Sequence, residues 1–318
     1  MTVLRGYIYA ILSALLVSTI PIFAKLMLAH TNAQSGGIYF FGIAFIIISL
    51  VIILRRQFEK LKVLKTYWKP LLILGIFNAA GSILWWFAIN DVGPNLTTFL
   101  LRFENVFSVL FGLFLLKEKL NRYEALGIIV AITGAFMITR YSNNGTISMA
   151  SVGIIFFAAA LFSAAHFVSK MYVKKTGAFM MNYSRIIFSF IFMFFFAYST
   201  NSFIFPNQAS LEIGLAGAIL STVIGITFFL KALEHADLSK VISIRAMDPF
   251  IVVIYSYFVL ADAPDMIQIV GGTTVILGIL IIIQSRNIRN AKDKLDNRTR
   301  RYKKNLIKHS KKALKQGS

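Results

Sequence analysis

Four ionisable side chains stand in the middle of long apolar runs: Arg102 and Glu104 in one, Arg245 and Asp248 in another. An ion in such a setting is costly unless it pairs, faces a wet cavity or meets a ligand. Arg245 and Asp248 are three residues apart and share a helix face, so a structural ion pair explains them as well as a binding site does. Arg102 and Glu104 are two apart, which on a continuous helix points them in different directions, so they pair less easily. Two bases and two acids sum to zero, a balance suited to a zwitterionic or polar organic solute. Pro249 removes a backbone donor beside Asp248 and predicts a kink or opening there. Asn105 and Tyr255 add polar groups next to the charged sites. Trp86, with Trp85, offers a ring for an aromatic or cationic group, or anchors the chain at the membrane interface. His166 lies mid-run, suited either to proton coupling or to a bond with a neighbouring helix. Arg185 is expected to line a vestibule or to meet a carbonyl, and Lys25 and Lys170 to reach the interface.

Other chemistries are missing. There is no cysteine, hence no thiolate metal site or thiol nucleophile, and the four histidines share no metal-ligand spacing. No GxxxxGK[ST] loop, nucleophile motif or paired-carboxylate constellation is present. The sequence therefore predicts no cofactor, no metal and no enzyme.

The residues that position these groups are overwhelmingly apolar: 57% of 318 residues are hydrophobic and 14% charged, against about 25% charged in soluble domains. The solvent that fits is lipid. A span needs roughly 20 apolar residues to cross about 30 Å, and ten candidates occur near 5–28, 37–54, 70–89, 95–116, 122–139, 151–173, 180–199, 209–230, 239–260 and 265–284. Backbone groups left unpaired in lipid are prohibitive, so these are helices; the first stays apolar too long for a cleavable leader. The net charge of +20 is not a nucleic-acid signature. Residues 285–318 hold 13 bases against two acids, a net of +11, and the remaining bases crowd the even-numbered loops. That bias predicts both termini cytoplasmic, a plasma (inner) membrane location, and a tail drawn to anionic headgroups.

The chain also repeats. Sliding residues 84–138 by 144 positions onto 228–282 needs no gap and superposes Glu104 on Asp248, Glu118 on Asp262, Gly127 on Gly271 and Gly134 on Gly278. Five spans per copy is an odd number, so the second copy enters the membrane inverted, as in many secondary transporters. The stretches "LFLLKEKL" at 113–120 and "EALGIIVAITG" at 124–134, with "ALEHADLSKVISIRAMDPFIVVIYSYFVLADAP" and "GGTTVILGI" in the second half, resemble the drug/metabolite transporter superfamily, specifically its EamA-like members. The resemblance implies an all-α integral membrane protein of ten helices in two inverted five-helix repeats, 1–140 and 150–284, followed by the basic tail 285–318. It also implies that the fourth and ninth helices line a central cavity. The expectation is a secondary transporter of a small, amino-acid-like solute by alternating access, with Arg102, Glu104, Asn105, Arg245, Asp248, Tyr255 and Trp86 at the substrate. A non-transporting receptor or scaffold that uses the tail remains the rival reading.

Overall fold

The computed structural model describes residues 2–115, 121–141, 148–286 and 288. The expected features at Lys117–Lys119 and at residues 289–318 of the basic tail lie outside these. Among the described residues all regular structure is helical: α1 (Thr2–Val17), α2 (Ile20–Leu28), α3 (Ala33–Leu54), a short α4 (Lys62–Thr66), α5 (Trp68–Leu101), α6 (Glu104–Leu115), α7 (Arg122–Tyr141), α8 (Met149–Thr176), α9 (Ala178–Ser199), α10 (Gln208–Gly217), a wide π segment (Ala218–Gly225), α11 (Ile226–His235), α12 (Leu238–Arg245) and α13 (Asp248–Leu260). The last, α14, is Met266–Arg286.

Nine of the resulting helical stretches are long and apolar enough to cross a membrane. Among the described residues the expected ten spans become nine by this measure, because the start of the fourth is continuous with α5 and its remainder, α6, has 12 residues. Its first part, residues 94–101, continues α5 past a break at Gly93, whose φ of 79° only glycine adopts freely; its second part is α6. Spans one and nine are divided as well, into α1/α2 and α12/α13. Side chains cap several starts: Asn32 on α3, Ser148 on α8 and Asn207 on α10 each accept a backbone N–H.

Helix pairing follows the pattern an in-plane twofold produces. Span one packs on span eight (α1 on α11), and span three packs on span six (α5 on α8). Spans two and seven meet each other (α3 on α9). So do spans five and ten. A Cβ on Gly127 would lie 2.6 Å from the Gly278 carbonyl oxygen, and one on Gly134 would lie 2.5 Å from that of Gly271. The low number thus meets the high one, so α7 and α14 run antiparallel with backbones in contact, which small residues allow. Arg286 Nε lies 3.4 Å from Glu124 Oε1 at one end of this seam. The first base assigned to the tail therefore belongs to the helix bundle.

Candidate functional site

The breaks in the three divided spans converge. Pro21 and Pro249 each lie just past a break, where proline removes the N–H owed to the carbonyl four residues back and crowds it. For Pro249 that carbonyl is Arg245, and Arg102 Nη1 donates to it instead, at 3.4 Å. Asn105 Nδ2 caps the carbonyl of Arg102 at the other break, at 3.0 Å. Ser18, at the break in span one, donates to the Asp248 carbonyl at 3.3 Å. Span nine is thus closed at Arg245 by a side chain of span four, and span four at Arg102 by its own Asn105.

The ionic groups then meet. Asp248 Oδ2 accepts from Arg245 Nη2 at 2.7 Å and from Nε at 3.0 Å. The pair spans the α12–α13 break rather than lying along one continuous helix. Arg102 Nη1 lies 3.4 Å from Glu104 Oε1 and 3.7 Å from Asp248 Oδ2. Arg102 and Glu104, expected to pair less easily, do approach, because the helix is interrupted between them and the directions of a continuous helix no longer apply. His166 Nδ1 stands 3.6 Å from Glu104 Oε2. All four charged residues are at most 7% exposed, so the cluster lies in a low-dielectric interior where each contact is strong.

These groups border a cavity of about 140 Å³, roughly ten times the space that one water needs. Arg102, Glu104, Arg245, Asp248, His166 and Arg185 supply its polar wall; Phe40, Phe41, Phe162, Trp85 and Trp86 supply an aromatic one. Trp86 is 1% exposed. Its ring covers Gly36 and Gly37 and meets Phe40 edge-on at 6.0 Å. An interfacial anchor must reach the headgroups, so burial rules that role out for Trp86. Tyr255 is not in the lining; its hydroxyl faces the Leu15 carbonyl at 3.4 Å. Asn105 is also absent from the lining and serves the helix break. Lys170 does not reach outward: its ammonium donates to the carbonyls of Leu233 and Ala236, capping α11.

Arg185, Asn78, Ser82 and Thr222 line the cavity without having been assigned to the substrate site from sequence. Asn and Ser in an apolar run give little signal, since helix–helix bonding explains them equally well. Arg185 adds a cation that the zero charge balance left out: three guanidiniums now face two carboxylates, +1 with His166 neutral.

Comparison with known proteins bears on the family and the fold. The EamA-like transporter family matches residues 4–140 and again 149–284. An uncharacterized transporter of Haemophilus influenzae is 24% identical over 296 residues, 87% of this chain and 94% of that one. One from Clostridium kluyveri is 22% identical over 308 residues, 92% and 97% of the two chains. A crystal structure at 13% identity superposes with a TM-score of 0.64 over 89% of this chain and 98% of the other, which is a likeness of fold. With two family matches in tandem that together cover nearly the whole chain, the chain belongs to the EamA-like transporter family.

Proposed function

We propose that this multi-pass membrane transporter is a secondary carrier of a small polar or zwitterionic metabolite, amino-acid-like in size, working by alternating access. One observation carries the reading: spans four and nine, equivalent in the two halves, both break where their buried charges face a shared cavity. Interrupted helices at mid-membrane expose backbone groups and helix ends to a solute while the rest of each helix stays paired. Two inverted halves around one site give two near-equivalent packings, open to opposite sides. Glu104 and Asp248 meet cationic parts of the solute; the guanidiniums that line the cavity meet its oxyanion; Trp86 covers its apolar part. The contact of His166 with Glu104 supports a coupling proton held between them. We place both termini in the cytoplasm and the protein in the inner membrane, from the loop charges. The two halves are 1–140 and 150–284, and the remaining tail attracts anionic lipid.

Counterflow in proteoliposomes across a panel of amino acids, amines, sugars and carboxylates tests this. Saturable flux of a charged or zwitterionic solute is expected. Absence of saturable flux for every solute would contradict it. A reporter fused after residue 284 is expected on the cytoplasmic side.

A further inference from the structure

Resting on the carrier reading, we propose that Arg185 anchors the carboxylate of the transported solute, and that the solute is a monocarboxylate with an apolar, preferably aromatic, body. Arg185 projects from α9 into the cavity and is 9% exposed. It differs from the two other guanidiniums there. Arg102 and Arg245 have Glu104 and Asp248 within 4.0 Å, whereas among the described residues no carboxylate lies that close to Arg185. Its protein partners are two neutral amide oxygens: Nε donates to Asn182 Oδ1 at 3.1 Å and Nη1 to Asn78 Oδ1 at 3.2 Å. Nη2 is buried and has no partner.

The amides are themselves fixed. Asn78 Nδ2 donates to Ser189 Oγ at 2.8 Å. Asn182 Nδ2 donates to the Thr222 carbonyl at 2.9 Å and to Thr227 Oγ1 at 3.0 Å. With both NH₂ groups committed, both oxygens must face Arg185, and the guanidinium is held in one orientation. Such an arrangement orients a cation without neutralising it. A buried guanidinium with a free N–H edge and no counter-ion is costly, and the group that relieves it is a planar oxyanion, which the guanidinium fork matches.

The charge count and the walls narrow the class. Before a coupling proton is taken up, with His166 neutral, the cavity side chains sum to +1, so a single negative charge balances them. A phosphate carries more than that at neutral pH. Phe41 lies 5.6 Å from the Arg185 guanidinium, and Phe40 and Trp86 extend the aromatic wall. An ammonium on the same solute would find Glu104, whose carboxylate makes no close hydrogen bond and has Arg102 and His166 at 3.4 and 3.6 Å. Asn182 also donates to the Thr222 carbonyl inside the π segment, which links Arg185 to the wide-turn stretch at Ala218–Gly225.

The test uses solutes that share a phenyl body: 3-phenylpropionate, L-phenylalanine, 3-phenylpropionamide and phenethylamine, with inorganic phosphate as a fifth probe. Binding to the purified full-length protein is read by thermal stabilisation and titration, and flux by counterflow. Both carboxylates are expected to bind at least about 30-fold more tightly than the amide and the amine, the loss of one buried charge contact. Arg185→Gln, checked for an unchanged melting transition without solute, is expected to bind acid and amide alike; Arg185→Lys is expected to keep part of the preference. The proposal is overturned if the amide or amine binds as well as the acids, if phosphate binds best, if folded Arg185→Gln keeps the preference for acids, or if no probe binds. Saturable flux of a solute without a carboxylate would overturn it while leaving the carrier reading intact.

Discussion

Replacing Asp248 by Asn removes one charge and almost no volume, which makes it a sharp probe of the cluster. The carboxylate is 2% exposed. Its Oδ2 holds Arg245 at 2.7 and 3.0 Å and lies 3.7 Å from Arg102. Asp248→Asn leaves Arg245 buried without a counter-ion, while Arg102 keeps Glu104 at 3.4 Å. Removing one partner of a buried pair costs about 3–5 kcal/mol, or roughly two to three and a half decades in the unfolding equilibrium. Replacing both members with leucine removes the stranded charge together with its partner, and such exchanges are neutral or stabilising by about 1–4 kcal/mol. The single variant should therefore be much less stable than wild type, and Arg245→Leu/Asp248→Leu close to it or better. Transport should be lost in both. Mixed-micelle unfolding of the purified proteins gives the stabilities, and counterflow gives the transport. An Asp248→Asn protein as stable as wild type would refute the ion-pair energetics. Full flux in the double variant would refute a substrate role for the pair.

Three further outcomes are expected. Gly134→Leu would set a side chain against backbone of α14, 2.5 Å from the Gly271 oxygen and 2.6 Å from the Val275 nitrogen; overpacking of this kind costs about 1–3 kcal/mol, whereas Gly153→Ala, with nothing within 4 Å of the new Cβ, should melt like wild type. Trp86→Ala should cost about 3–5 kcal/mol in unfolding measurements, because the ring is 1% exposed and packs on Gly36 and Gly37. His166→Asn should abolish flux driven by a pH gradient yet retain counterflow; unchanged gradient-driven flux would remove His166 from proton coupling.

The bundle was legible because lipid leaves few choices: an apolar run of span length must be a helix. The repeat was legible because paired acids and glycines recur in one gapless register. That the same glycines form a seam between α7 and α14 comes from the structure, since the register does not say which spans adjoin. The helix breaks were only partly legible. Pro249 announced one, but nothing as plain marks the Arg102–Phe103 break, where a side-chain amide from Asn105 closes the turn. Missing that break made Arg102 and Glu104 look less able to pair, since side-chain direction depends on helix continuity. Trp86 was ambiguous because a tryptophan near a span end fits an interface belt equally well, and only burial separates the two. Arg185 stood out as a charge, but that its partners would be two asparagines rather than an acid depends on which spans adjoin, and no local spacing encodes that. Tyr255 was drawn in by closeness in sequence to Asp248, yet the turn of α13 carries it toward Leu15.

The central claim is that the cavity between the broken helices is where the transported solute sits. The chain has no cysteine, so one substitution introduces a unique thiol. Ser82 lines the cavity, whereas Ser256 is fully buried and lies outside that lining. The rate at which a small water-soluble maleimide labels the Ser82→Cys protein, with and without the solute of highest counterflow, is the direct measurement. Labelling of Ser82→Cys that the solute suppresses is expected, with little labelling of Ser256→Cys under either condition. Labelling of Ser82→Cys that a saturating transported solute leaves unchanged, or equal labelling at the two positions, would contradict the claim.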